Sequence, residues 1–597
     1  MIGDQPKYKT SYEVDFVIVG SGAAGGVLAK ELSTNGFRVV VLEQGPYLTE
    51  SDFSHDEIKI LQEGLLTNHP ELQPNTFRKT VDEQAKQQRA VAYGRCVGGT
   101  SVHFAANYWR FHENEFKEHS KVGAVAGTGL ADWPITYAEL EPYYTKVEWE
   151  VGVSGLDGAS PFEPPHSKPY PMPPLPVKCS GVIFEGAARK LGWHPFPSPL
   201  AILSQPRQGR SACVNCGFCW GFGCEVKAKS SSLASVIPMA ERTGRCEIRP
   251  NCYVYRIETG ATGRVTGALY FDLQRNSHLQ KAKAVILCAN GAETPRLLLL
   301  SSNRHFSNGL ANSSGLVGKY LMLSSAGRTV GLFEHPLNDY KGFTASRVLH
   351  DFYELDPQRV GFYGGGALDA RFSYTPYFFA LSGLPPGTPS WGTGFKNALS
   401  HNFSRTMDIH SSGTSLPVEK NSFSLDPDLK DAWGLPALRM TYRDHLDDLK
   451  LVNWLNDRAL ELLEIAGALK KWSLPVMEQQ FALSLLGTCR MGIDPKSSVI
   501  NSDHRTHDVK NLFLCDGSSL VTSGRGQPTM TIQACLLPST HARTYRTVLC
   551  RPAVLSGWLD TVAANSRACS KKSTGNRPPR PKRDVDAPVD HRSRHGM

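Results

Sequence analysis

Long apolar runs are missing from this 597-residue chain. No uncharged apolar run reaches the ~20 residues that a helix needs to cross a bilayer, which argues against a protein anchored by such spans. The opening stretch MIGDQPKYKTSYEV has no apolar segment of the secretory kind. A cytoplasmic setting is therefore expected, with a periplasmic or membrane-associated one open only through a partner subunit. Charge is scarce too: 20% of residues are charged and 41% hydrophobic, the balance of a folded enzyme and not of a disordered or fibrous chain. Basic character is absent from the body. The net charge is +9, but residues 541–597 hold 12 Lys and Arg against 4 Asp and Glu, so the first 540 residues are close to neutral. That distribution argues against a nucleic-acid partner. The tail also lacks apolar periodicity and is expected to be disordered, or to be an out-of-frame end. No internal repeat is found, which sets aside solenoid architectures.

Cysteine is thin except in one place. Cys213, Cys216, Cys219 and Cys224 lie within twelve residues, spaced C-x2-C-x2-C-x4-C. Zinc usually takes two C-x2-C knuckles separated by a longer loop, and no second knuckle lies at a distance here. Two disulfides over so short a span would be strained. An iron–sulfur cluster tolerates close thiolates, although the last gap of four and the missing proline make that match partial. Cluster and free buried thiols are the two leading readings.

The segment DFVIVGSGAAGGVLAKEL reads as strand, tight glycine turn and helix. Gly20, Gly22 and Gly25 form G-x-G-x-x-G, Ser21 and Ala24 lie between them, and FRVVVLE then ends in Glu43, 23 residues after Gly20. That is a βαβ start with an acid where a ribose hydroxyl is expected, and with backbone N–H groups free to meet a pyrophosphate. KAKAVILCA and NLFLCDGSSL read as later strands of the same sheet. TPRLLLL reads as a helix with Pro295 near its start. Residues 161–176, with eight prolines, read as an extended connector, and Thr136 and Glu139 read as a capping box.

These blocks, in this order, resemble the glucose–methanol–choline (GMC) oxidoreductases, which are FAD enzymes, from about Asp15 to Ala534. The carrying motifs are VGSGAAGG…VLEQG, GRCVGGTS, DWPITYAELEPYY, ANGAETPRLLLLS, GTCRMG and DGSSLVTSGRGQPTMTI. Asn290 stands where a glycine is common. The look of GGTSVHF and of the cysteine run is closest to the sugar- and polyol-dehydrogenase branch. The resemblance implies an α/β Rossmann-like FAD-binding domain, discontinuous in sequence, and a substrate domain on a mostly antiparallel sheet with helices. Expected bounds are 13–330 for the FAD domain, with insertions at about 111–230, then 331–480 for the substrate domain and 481–540 for the return. The implied cofactor residues include Gly94, Gly98, Gly99, Thr100, His103, Val254, Asp516, Gly517 and Pro528. His103 sits where several family members join a histidine to the flavin 8α carbon. The implied reaction is oxidation of a CH–OH group of a sugar, polyol or similar alcohol by hydride transfer to flavin. Electrons would pass to an acceptor other than oxygen, with a small subunit and a cytochrome as possible partners. In that branch the cysteine run can hold a [3Fe–4S] cluster.

Two positions depart from the pattern. Ser484 stands where the family places its basic histidine, and Gln527 where it places a histidine or asparagine. A serine hydroxyl is a poor base near neutral pH, and glutamine cannot take a proton. His401, His410 and His507 are the candidates for a substitute base, with His507 expected to be a turn residue. A non-redox lyase or a catalytically impaired member are the rival functions.

Overall fold

The six residues Val14–Val19 are all buried. A strand apolar on both faces must lie inside a covered parallel sheet. Parallel neighbours flank it, Val39–Leu42 on one side and Ser277–Leu287 on the other. The sheet extends outward through Cys246–Arg249, parallel to Val39–Leu42. On the other side an antiparallel meander, Tyr253–Thr259 with Val265–Phe271, folds back on Ser277–Leu287. The eleven-residue strand Ser277–Leu287 serves both halves, and Leu512–Leu514 joins it in parallel from near the end of the chain. The structure is a computed structural model that describes residues 6–541 apart from Ser373. The tail expected from 541 onward lies, beyond its first residue, outside the described residues.

Helix Ala23–Thr34 follows the first strand after Gly20, whose φ of +94° suits glycine. Helices Val236–Arg242 and Thr529–His541 pack beside it. The capping box is present: the Glu139 N–H donates to Thr136 Oγ1 at 3.3 Å, and the Thr136 N–H to Glu139 Oε2 at 2.8 Å. It opens helix Tyr137–Val151. No helix or strand forms within the proline-rich stretch 161–176. Pro295 lies inside helix Asn290–Leu300 and not at its first turn.

A second sheet of six strands is antiparallel throughout, in the order Lys470–Ser473, Ser325–Leu332, Thr406–Gly413, Gly366–Arg371, Ala345–Leu349, Phe196–Pro197. Side chains alternate across it. Met407, Ile409, Leu368 and Ala370 meet Leu451, Leu455, Ala459 and Leu462 of helix Leu446–Ile465. Arg371, His410 and Ser412 turn to the other face, toward a large cavity. The domain division expected at 330/331 falls within the strand Ser325–Leu332. A third, four-stranded sheet pairs Asn75–Arg78 in parallel with Pro436–Thr441, so the two expected domains are interleaved.

Candidate active site

The cavity has a volume of about 670 Å³ and runs from the glycine turn after the first strand to the six-stranded sheet. At its first end Gly22 and Gly99 face each other. A Cβ added to Gly99 would lie 2.9 Å from Gly22 Cα, whereas one added to Gly22 would meet nothing nearer than Gly99 Cα at 3.9 Å. Helix Ala23–Thr34 begins here with no side chain capping it, so its first N–H groups are left for a ligand. Gly25 is not at the wall. Its missing Cβ makes room for Gly20 O, which an added carbon would approach to 2.0 Å. Ser21 and Gly98 are likewise set behind the wall: Ser21 Oγ accepts from the Gly98 N–H at 3.1 Å and donates to Glu43 Oε2 at 2.7 Å.

Glu43 lines the cavity. Its carboxylate accepts from the Ser21 N–H and the Gly45 N–H, both at 3.0 Å. Burial pushes its pKa up, against the pull of these donors. Ala24, Gly94, Thr100, His103, Val254, Asp516, Gly517 and Pro528 also line the cavity. His103 is held at a pKa of about 4 by burial and by the charge of Lys229, so its ring is neutral. Its Nε2 is buried without a hydrogen-bond partner. Asp516 joins the strand end to the next helix by accepting from the Asn290 N–H at 3.0 Å and Thr294 Oγ1 at 2.6 Å. Asn290 has a φ of +76°, which explains why this position favours glycine and tolerates asparagine.

Ser484 and Gln527 are brought to the same cavity. Among the three candidate histidines only His410 reaches it. His507 is spent elsewhere, on Ser498 Oγ at 2.9 Å, and His401 lies on the helix Gly392–Asn402 away from the cavity. His410 Nδ1 is 3.2 Å from Ser412 Oγ, and burial with the nearby Arg371 and Arg328 charges holds its pKa well below the usual imidazole value. Arg371, on the adjacent strand and fixed by Asp369 through two hydrogen bonds at 2.8 and 2.7 Å, also lines the cavity. Sequence reasoning missed Arg371 and the serines 324, 325 and 412, because isolated polar residues on an unassigned strand carry no motif.

Leu486 bridges Met322, just before the strand Ser325–Leu332, on which Ala326 pairs with Ser412 and Arg328 with His410.

The four cysteines of the run are free thiols, with Cys219 buried and the others half-buried. Lys229 Nζ holds the loop by donating to the carbonyls of Cys219 and Phe222, both at 2.6 Å. Among the described residues no three of these thiols come within 4.8 Å of one another.

Glycine turn, uncapped helix start and buried acid on parallel strands define a dinucleotide-binding oxidoreductase fold with a substrate sheet closing the far end. The chain belongs to the GMC oxidoreductase family: the family's N-terminal model matches residues 14–325 and its C-terminal model residues 417–535. It is 35% identical over 533 residues to a 2-methyl-1,2-propanediol dehydrogenase of Mycolicibacterium austroafricanum, covering 87% of this chain and 93% of that one. It is 29% identical to a fructose dehydrogenase large subunit of Gluconobacter japonicus, covering 88% and 97%. A gluconate 2-dehydrogenase flavoprotein of Pantoea cypripedii is 28% identical, covering 86% and 90%. Among solved structures, pyridoxine 4-oxidase of Mesorbium loti has the same fold, with a TM-score of 0.61 at 19% identity, covering 90% of this chain and 99% of that one. The protein is an oxidoreductase, and FAD is the cofactor of its family. Among the described residues no helix is long and apolar enough to cross a membrane.

Proposed function

We propose that this oxidoreductase is an FAD-dependent dehydrogenase acting on a CH–OH group of a small polyhydroxylated alcohol or sugar. The observation that carries this is the continuity of one cavity from Gly22, Gly99 and Glu43, through Ser484 and Gln527, to the polar sheet face of Arg371, His410 and Ser412. Dehydrogenases of a diol, a sugar and a sugar acid among its relatives support the substrate class.

The residues present fit FAD. Gly22 and Gly99 leave the space a pyrophosphate needs beside the uncapped helix start, and Glu43 retains lone pairs for a ribose hydroxyl. We assign His103 to the flavin, by a hydrogen bond or by the covalent link that the family resemblance implies; its neutral ring and unpartnered Nε2 support this reading. When bound, FAD supplies the hydride acceptor.

At the reacting end, Ser484 and Gln527 orient the alcohol by hydrogen bonds but do not take its proton. His410 and Arg371, on the sheet face of the same cavity, bind the substrate's other oxygens, one as a neutral imidazole and the other as a fixed cation. In this reading the alcohol proton leaves to water, and turnover rises with pH. The likeness to a large subunit extends the proposal to a partner chain that receives the electrons.

The test is anaerobic flavin bleaching by vicinal diols, fructose and gluconate, followed by reoxidation with oxygen or with a one-electron acceptor. Substrate bleaching with slow reoxidation by oxygen is expected. If dithionite reduces the flavin but no alcohol or sugar does, the dehydrogenase reading fails and a non-redox or impaired member takes its place.

A further inference from the structure

Outside the FAD cavity, one group of metal-ligating side chains converges among the described residues: His55, Cys216 and Glu225, whose ligand atoms all lie within 4.8 Å of one another. Nothing in the motif reading pointed to His55 or Glu225, because they flank the cysteine run in space and only one of them does so in sequence. His55 Nε2 is 3.3 Å from Glu225 Oε1. Two ligands at about 2.0–2.1 Å on a tetrahedral ion lie about 3.3–3.4 Å apart, so this pair already has the spacing that zinc imposes. The imidazole is held in place by stacking on Phe218, with centroids 4.1 Å apart and planes 7° from parallel. The other carboxylate oxygen, Glu225 Oε2, is buried and has no hydrogen-bond partner.

We infer that His55, Cys216 and Glu225 form a mononuclear zinc site, with the fourth position open to solvent beside the exposed His55. One nitrogen, one sulfur and one oxygen ligand is a donor set that suits zinc and not calcium or magnesium. Binding releases the Cys216 thiol proton to solvent and needs no electron transfer. The ion ties together two segments that already share a small core. Phe53 lies over Gly223 and Leu61 against Gly221, each where an added Cβ would collide. Ile60, Leu61 and Trp220 line the flavin cavity, and the Gly221 N–H donates to the His103 carbonyl at 2.8 Å. A zinc ion here fixes the cavity wall next to His103. The site stands independently of the dehydrogenase reading, and it takes Cys216 away from an iron–sulfur cluster.

The experiment uses the full chain, reduced and stripped with chelator under anaerobic conditions, and titrates it with Co²⁺ and then with Zn²⁺ in competition. One equivalent of Co²⁺ should give a tetrahedral spectrum with a thiolate charge-transfer band, and Zn²⁺ should displace it. Cys216→Ser should remove the charge-transfer band. His55→Ala and Glu225→Gln should each weaken Zn²⁺ binding by more than the about 10- to 100-fold typical of losing a group that only orients a ligand. Cys213→Ser should stay close to wild type. His55 is exposed, so its variant keeps the fold, and circular dichroism checks this. The inference is overturned if no stoichiometric Co²⁺ or Zn²⁺ binds, or if His55→Ala binds as wild type. It is also overturned if iron and acid-labile sulfide co-purify and depend on Cys213 and not on His55. Flavin content measured in the same samples keeps a failure of FAD binding distinct from a failure of this site.

Discussion

Substituting Gly22 by alanine should separate folding from cofactor binding. The residue has a negative φ of −61°, so alanine meets no left-handed strain there, and its added methyl meets nothing nearer than Gly99 Cα at 3.9 Å. The flavin-free protein should keep its stability to within about 0.5 kcal/mol, as for a substitution that clashes with nothing. The methyl would occupy the gap through which a pyrophosphate reaches the N–H groups of the helix start. Displacing the phosphates costs about two charge-assisted hydrogen bonds of about 1.5–3 kcal/mol each. The loss is then about 3–6 kcal/mol, or about 10²- to 10⁴-fold in Kd for FAD. The assay is fluorescence titration of apoprotein with FAD, in a His103→Ala background so that covalent attachment cannot mask affinity. Gly25→Ala is the contrasting control, since its carbon would collide with Gly20 O and should destabilise the apoprotein itself. A Gly22→Ala protein that binds FAD within a few-fold of its parent would refute the placement of the pyrophosphate beside Gly22 at the helix start.

Ser484→His should raise turnover near neutral pH by on the order of 10²-fold, the low end of what a positioned base supplies, and flatten the rise of rate with pH; an unchanged pH–rate profile would show that the proton is already taken by another group. Buried histidines predict acid sensitivity. His103 and His504 sit near pKa 4 and His112 near 3, all depressed by burial from about 6.5. The unfolded chain therefore binds more protons, and stability present above pH 6.5 is lost as pH falls toward 4. His504→Asn should reduce that slope in urea unfolding at pH 7, 6 and 5, and an equal slope in both proteins would remove His504 from the account. Asn290→Ala should cost about 2–4 kcal/mol, from left-handed strain and from the hydrogen bonds that Asn290 Oδ1 accepts from the Ala292 and Glu293 N–H groups. Asn290→Gly should recover the backbone part of that cost in the same thermal melts, and equal losses in the two variants would contradict the strain argument.

The FAD-binding half was legible because its chemistry is local. Gly20, Gly22, Gly25 and Glu43 fall on consecutive elements, and strand period and glycine geometry leave few alternatives there. The substrate half was not. Arg371 and His410 become neighbours only when two antiparallel strands pair, and neither strand has a fixed-spacing motif. His410 could be named as one of three histidines, but its selection over His401 and His507 needed the register of Thr406–Gly413. The interleaving of 75–78 with 436–441 was also hidden, since a parallel pairing across 360 residues leaves no trace in composition.

The central sheet closes late in synthesis. Leu512–Leu514 pairs with Ser277–Leu287, whose other edge holds Val14–Val19, and Pro528 and Thr529 complete the wall opposite Gly22. A chain growing at about 5–20 residues per second makes its glycine turn within seconds but waits roughly half a minute to two minutes for the strand and helix that enclose it. Until then only the C-terminal part of that edge, 285–287, is unpaired, since 277–281 is already covered by Val265–Phe271, and the half-built cavity is open to water. Cofactor capture is thus a step that follows synthesis of nearly the whole chain, and a shortage of FAD acts on a finished polypeptide that has all the strands of its sheet but an open cavity.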